Sequence, residues 1–255
     1  MPLPEVGGKG LFTLELERAL LAGEIDAAVH SLKDLPTGDP EGLTLGAVTS
    51  RADVRDALVS PRYGTLEALP HGALVGTSSP RRAAQILRIR PDLRLESIRG
   101  NVGTRLRKVD EGGYDAALFA CAGLERLGLM ARATDVLSLD AMLPAPGQAA
   151  LAVQARSGDT RVLAALAAID EAPVRAATTA ERAFLAALGG GCSAPIAAYA
   201  SGYPVLTLRA RVLSVDGCGM VEVEGVGTDP LELAGRLADD ALAAGAGRFL
   251  ALARA

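Results

Sequence analysis

The alternation of strand-like and helix-like segments between residues 73 and 120 constrains the fold most strongly. Apolar runs at residues 73–76, 93–98 and 114–120 are separated by helix-like stretches at residues 81–90 and 104–111. Parallel strands need a crossover connection, which is usually a helix, so this order predicts a parallel sheet. The loops that leave such strands meet at the carboxyl edge of the sheet, where ligands bind.

The rest of the chain extends this pattern and then changes it. A helical stripe ends at Gly23, residues 25–30 are typical of a buried strand, and residues 149–155 form a strand-like run before two helices. Two alternating runs then flank an Asp216-Gly217 turn, which predicts a hairpin. With 255 residues, 49% of them hydrophobic, the chain can bury more than one core. We predict two α/β units followed by a smaller α+β unit.

The first unit is expected to be incomplete. A doubly wound unit normally opens with a strand, whereas this chain opens with a Pro/Gly-rich stretch that runs into a helix. A start assigned at an internal methionine and a true truncation are both open explanations. Loss of an inner strand should exceed the ~5–15 kcal/mol that holds a domain folded, so a defective fragment is a further hypothesis.

Composition argues against several classes of protein. The chain has a formal net charge of −4 and 3% aromatic residues, which makes it a poor nucleic-acid binder. Its apolar runs are too short to span a bilayer and its first residues do not resemble a signal peptide, which favours the cytoplasm. Three cysteines without metal-ligand spacing and two histidines predict neither a disulfide framework nor a metal site.

One segment of this acidic chain is strongly basic. Residues 81–108 contain eight arginines and one lysine but only two acids. The planar guanidinium fork suits carboxylates and phosphates, so this segment predicts a bound anion.

Two loops of the basic segment are the candidate anion sites. Ser79 is suited to cap a helix that begins at Pro80, which puts Arg81 and Arg82 at the positive end of the helix dipole. An anion would offset that repulsion, and a solvated helix start with surface arginines is the alternative.

The second loop repeats this plan one βα unit later. Arg99 and Arg105 flank glycines at another strand end, so the two loops are expected to share one crevice. Four further arginines are interpreted as solvated: Arg88, Arg90, Arg94 and Arg107.

Two other residues stand out by their position. Asp34 follows a strand and precedes Leu-Pro, so it is either a turn former or a catalytic carboxylate that faces the basic crevice. Cys192 follows three glycines that would let a bulky group reach its sulfur, although a flexible helix cap is the alternative. Cys121, among apolar residues, is interpreted as structural, and His30 as a buried, hydrogen-bonded residue.

Taken together, these stretches resemble the porphobilinogen deaminase (hydroxymethylbilane synthase) family. The motifs, in the order and spacing of that family, are VGGKGLF at 6–12, HSLKDLP at 30–36, GTSSPRR at 76–82, RGNVGTRL at 99–106, AGLERLG at 122–128, PGQ at 146–148 and GGCSAP at 190–195. They cover nearly the whole chain.

The resemblance implies a reaction. Four porphobilinogen molecules would be joined, with loss of ammonia, to the linear tetrapyrrole hydroxymethylbilane of porphyrin and heme biosynthesis. A dipyrromethane cofactor, linked through a thioether to Cys192, would prime the chain. Asp34 would assist ammonia loss and stabilise the azafulvenium cation that results.

The resemblance also assigns the remaining residues. Cofactor-binding roles would fall to Lys33, Ser79, Arg81, Arg82, Arg99 and Arg105, substrate-binding roles to Lys9 and Arg126, and a hinge role to Gln148. Ala149 stands where the family has a glycine and could stiffen that hinge. The family also has a leading strand and helix that this chain lacks.

The family fold would be two α/β domains like those of periplasmic binding proteins, with a small α+β domain at the C-terminus. We predict a discontinuous, truncated first domain at residues 1–50 and 148–168, a second at 51–147 and the C-terminal domain at 169–255. A cytoplasmic monomer is expected. A non-catalytic, two-lobed anion-binding protein is the alternative.

Overall fold

The computed structural model of the chain describes residues 11–190 and 194–254. Three sheets organise the described residues, and each belongs to a different unit. The predicted mixed α/β class is confirmed.

The first unit brings distant parts of the chain into one sheet. Its elements are α1 (Leu11–Leu21), β1 (Ala28–Ser31), a 3₁₀ turn (Leu32–Asp34), β2 (Leu43–Val48), β8 (Leu151–Arg156) and α5 (Thr160–Leu166). The strands lie in the order β1-β8-β2, and β8 pairs antiparallel with both neighbours. The strand predicted at residues 25–30 corresponds to β1, which begins three residues later, at Ala28. One face of β1 is open, because Val29 is 61% exposed.

The second unit contains the predicted parallel strands. Its elements are β3 (Asp56–Val59), β4 (Leu74–Gly76), α2 (Pro80–Ile89), β5 (Arg94–Glu96), α3 (Val102–Asp110), β6 (Ala116–Ala120), α4 (Cys121–Arg126) and β7 (Asp135–Val136). In the order β5-β4-β6-β3-β7, β4 is parallel to β5 and to β6, which confirms the prediction. However, β3 runs antiparallel to β6, with Asp56 opposite Ala120. The first residue of β3 therefore lies at the carboxyl edge of the parallel strands.

The third unit packs three helices against a small antiparallel sheet. Its elements are α6 (Ala172–Ala187), β9 (Ile196–Ser201), β10 (Leu206–Leu213), β11 (Met220–Gly227), α7 (Pro230–Ala243) and α8 (Gly247–Arg254). The central strand β10 pairs with β9 and β11, which confirms the hairpin across Asp216-Gly217. Phe184, Leu206 and Leu208 are fully buried in its core.

Each predicted domain range contains one of these sheets, and the exact boundaries remain predictions. Among the described residues, no helix combines the length and the apolar character that crossing a bilayer requires.

Candidate functional site at the junction of the α/β units

The N-terminus of α2 forms as the sequence predicts. The Ser79 hydroxyl accepts a hydrogen bond from the Arg82 backbone N–H (3.4 Å), and Pro80 occupies the first turn of the helix. This cap fixes Arg81 and Arg82 at the carboxyl edge of the parallel strands, directly after β4.

Both arginines bind Asp56, a residue whose role the sequence analysis missed. The Arg81 Nη1 donates to Asp56 Oδ2 (2.7 Å), while the Arg82 Nη2 and Nε donate to Oδ1 (2.6 and 3.1 Å). Arg81 and Arg82 are 4% and 8% exposed, and Asp56 is fully buried. The alternative of surface arginines is therefore wrong. The charge that offsets the helix dipole repulsion is supplied by the protein itself.

The electrostatics of this cluster follow from its burial. Burial alone would raise the pKa of Asp56, but Arg81 and Arg82 outweigh that effect and hold the pKa well below its ordinary value. A carboxylate at the start of an otherwise apolar strand, as in Asp56–Val59, was the available signal. A buried charge of this kind requires partners, although sequence cannot say which.

Gln148 connects this cluster to the first unit. Its Nε2 donates to Asp56 Oδ1 (3.0 Å) and to the Val54 carbonyl (2.8 Å), and its Oε1 accepts from Lys33 Nζ (3.3 Å). Burial lowers the pKa of Lys33 to about 8; the charges of Arg82 and Arg81 also lower it, and those of Asp34 and Asp56 oppose them. Lys33, Arg81, Arg82 and Gln148 are thus brought together around one carboxylate.

The backbone beside Gln148 has an unusual conformation. Ala149 has a φ of 73°, a left-handed value at which an L-residue costs about 1–2 kcal/mol relative to glycine. Its carbonyl accepts a hydrogen bond from Arg126 Nη2 (2.7 Å). Arg126 therefore lies against the predicted hinge, and the stiffening of the hinge remains a prediction.

The second basic loop is more open. Asn101 caps α3 by accepting from the Thr104 N–H (2.8 Å), and Arg99 is exposed. Arg105 stacks its guanidinium over Phe119, 5.2 Å from the ring centroid. Burial and the charge of Arg82 lower the pKa of Arg105. Arg99 is thus open to solvent, whereas Arg105 is partly buried against Phe119.

The structure describes only some of the remaining predicted residues. Asp34 ends the 3₁₀ turn and is exposed beside Lys33. Lys9 and Cys192 lie outside the described residues. Burial, with the charges of Asp53 and Asp56, raises the pKa of the Cys121 thiol to about 11, in agreement with its structural interpretation.

One of the arginines interpreted as solvated was misjudged. Arg90 donates to Asp92 and to the carbonyls of Leu66 and Leu69 at 2.7–3.0 Å, so it fixes the loop before β4. Arg88, Arg94 and Arg107 are exposed as expected.

The cluster carries more positive than negative charge. Three cations, Lys33, Arg81 and Arg82, surround the Asp56 carboxylate, and the exposed Asp34 nearby offsets only one more. Within the described part of the chain, the buried Nε groups of Arg81 and Arg105 have no hydrogen-bond partner. The fold and this site define an α/β protein with a cluster of excess positive charge at the carboxyl edge of a parallel sheet.

Comparison with known sequences identifies the family. The model of the dipyrromethane cofactor-binding domain of porphobilinogen deaminase matches residues 1–164, and the model of its C-terminal domain matches residues 176–243. The chain belongs to the porphobilinogen deaminase family. It is 49% identical to the porphobilinogen deaminase of Brevibacillus brevis, covering 98% of this chain and 81% of that protein. It is 50% identical to that of Roseiflexus castenholzii, covering 98% and 83%.

One solved structure of low sequence identity also matches part of the chain. A YaeC-family lipoprotein from Enterococcus faecalis is 20% identical over 61% of this chain and 75% of that chain, with a TM-score of 0.41. That score is too low for a conclusion.

Proposed function

We propose that the chain joins four porphobilinogen molecules into hydroxymethylbilane, releasing one ammonia for each unit added and consuming one water when the tetrapyrrole leaves the cofactor. The family match across residues 1–164 and 176–243 carries this proposal. The excess positive charge around Asp56 supports it, because each pyrrole of the product bears carboxylates that need such partners.

The residues present fit a carboxylated dipyrromethane. The unpartnered Nε groups of Arg81 and Arg105 are charged donors suited to carboxylates. Lys33, Ser79, Arg81, Arg82, Arg99 and Arg105 would hold the cofactor, and Cys192 would attach it. When bound, this group supplies the pyrrole carbon that receives the first unit. Lys9 and Arg126 would hold the incoming porphobilinogen.

Asp34 is the proposed catalytic residue. Ammonia leaves the substrate with the electron pair of its C–N bond, and the positive charge that develops on the pyrrole lies near the Asp34 carboxylate. The attacking pyrrole carbon supplies the pair of the new C–C bond and then loses its proton. A negative charge fixed beside the developing cation lowers the barrier. Asp34 can meet the substrate, because it is exposed at the end of its turn.

We also propose that the chain acts in the cytoplasm as a monomer that requires no nucleic acid. The acidic composition, with a formal net charge of −4, supports the last point.

Intact-protein mass spectrometry is the most direct test. Folded, active protein should carry the mass of two linked pyrrole units, and Cys192→Ser should lose both this mass and turnover. Unmodified Cys192 in active protein would overturn the mechanism.

Asp34→Asn separates an enzyme from a non-catalytic anion binder. We expect it to keep the cofactor mass and to lose turnover, while the control Asp39→Asn, an exposed acid on the same loop, keeps both. Unchanged turnover in Asp34→Asn would favour the binder.

A further inference from the structure

One guanidinium from the third unit holds the turn that carries Lys33 and Asp34. Arg182, on α6, donates from Nη1 to the carbonyls of Leu32 and Leu35 (both 3.3 Å) and from Nη2 to that of Pro36 (2.6 Å). These carbonyls lie on both sides of Lys33 and Asp34. The guanidinium therefore fixes the backbone before and after the two side chains.

The turn is also held by the Leu32 N–H, which donates to the Ala150 carbonyl (3.1 Å), and by the burial of Leu32 and Leu35 in the core. It is a three-residue 3₁₀ helix, closed by a bond from the Leu35 N–H to the Leu32 carbonyl (3.2 Å). Pro36 has no N–H to donate, and carbonyls at a helix end lack partners within the helix. The planar fork of arginine can serve several carbonyls at once, which a lysine ammonium on a flexible stem does less well.

The neighbouring residue on α6 anchors the helix against the hinge. Glu181, fully buried, accepts from Arg51 Nη1 and Nη2 (2.7 and 2.9 Å), from the Gly147 N–H (2.7 Å) and from the Ala200 N–H (2.8 Å). This anchor gives Arg182 a rigid base. The same helix ends at Ala187, five positions before Cys192 in the chain.

We propose that Arg182 is a positioning residue for the reaction: it sets where the Lys33–Asp34 turn lies relative to the helix that leads to Cys192. This inference rests on the proposed role of Asp34. Arg182 acts on the backbone and holds Asp34 in place for charge stabilisation. Loss of its contacts misplaces the Asp34 carboxylate, whereas the proposed substrate-binding residues, Lys9 and Arg126, belong to other parts of the chain.

A second arginine of α6 provides a matched control. Arg175 binds Asp170 through Nε (2.8 and 2.9 Å) and donates from Nη2 to the Leu45 carbonyl (3.3 Å). It also ties α6 to the first unit, but at β2 and away from the turn. If Arg182 only held the third unit against the first, substitution of Arg182 and substitution of Arg175 would have the same effect on turnover.

The test compares Arg182→Gln, Arg182→Lys and Arg175→Gln. We expect Arg182→Gln to lower kcat by about 10- to 100-fold, since a misplacement of 1 Å can cost about 100-fold, with KM and cofactor mass unchanged. Arg182→Lys should recover part of the loss. Arg175→Gln should keep kcat within about twofold, in line with the expected independence of its contacts.

Hydrogen exchange of the Leu35 amide gives a readout that does not depend on turnover. Exchange should accelerate in Arg182→Gln and stay unchanged in Arg175→Gln. Equal kcat in the two Gln variants, or unchanged exchange in Arg182→Gln, overturns the inference. If the unsubstituted protein carries cofactor but Asp34→Asn keeps full turnover, the proposed role of Asp34 fails instead, and the exchange data still decide the Arg182 contact.

Discussion

The two basic loops share one plan in the sequence but differ in the structure. Each follows a strand of the parallel sheet, begins a helix with a side-chain cap and carries arginines near that cap. At α2 the guanidinium groups of Arg81 and Arg82 are buried against Asp56, whereas Arg99 before α3 is exposed and forms no ion pair with another described residue. The availability of an arginine therefore depends on whether a carboxylate from another strand reaches it.

This difference divides the positive charge between two tasks. The α2 arginines are held with Asp56 and Gln148, so they fix the junction between the units and contribute a positive field there. The α3 loop offers a charge that a ligand can pair with directly. A bound pyrrole chain would thus face two groups of cations: the rigidly held arginines of α2 and the exposed charge of the α3 loop.

Removal of the Asp56 charge is expected to have the largest effect. Asp56→Asn leaves two buried arginines without their carboxylate, and breaking a buried ion pair in this way costs about 3–5 kcal/mol. Urea unfolding measures the loss. The control is Asp53→Asn, which breaks a partly exposed pair with Arg55 worth at most about 1 kcal/mol. Equal losses would contradict the stabilising role of the buried pairs between Asp56 and the α2 arginines.

Arg99→Gln should show the opposite behaviour. We expect the apparent KM for porphobilinogen to rise about tenfold, equivalent to about 1.4 kcal/mol, because Arg99 would pair with a carboxylate of the cofactor or of the growing chain that receives each porphobilinogen. Unfolding free energy should stay within about 0.5 kcal/mol, since the side chain is exposed. Arg94→Gln, an exposed arginine of the same basic segment, should change neither quantity. A fall in stability without a change in KM would contradict this account.

The smallest expected effect is a pH dependence at Lys33. Burial lowers the pKa of its amine to about 8, so the amine is charged below that pH and neutral above it. The contribution of Lys33 to holding the cofactor or the growing chain is present below pH 8 and lost as the pH rises through 8, so kcat/KM should fall over the same range. Lys33→Arg stays charged and should abolish this inflection, while Lys108→Arg should retain it. An identical profile in Lys33→Arg would assign the inflection to another group.

Most of the elements could be predicted because their signals are local. Ser79 with Pro80 specified the start of α2, and the Asp216-Gly217 turn specified the hairpin of the third unit. The spacing of strand-like runs between residues 73 and 120 specified three parallel strands. Each of these features depends on residues that are close together in the sequence, so the local sequence pattern is enough to predict it.

The sequence by itself determined the units, the Ser79 cap of α2, the two basic loops and the motifs of the family. Only the tertiary structure decided which arginines are paired, because their partners lie far away in the chain: Asp56 is 25 residues from Arg81 and 92 from Gln148. It also decided that Ala149 adopts a left-handed conformation and that Arg182 reaches a turn 146–150 residues away. Such contacts arise from the packing of one unit against another, and no local pattern records which charges that packing buries.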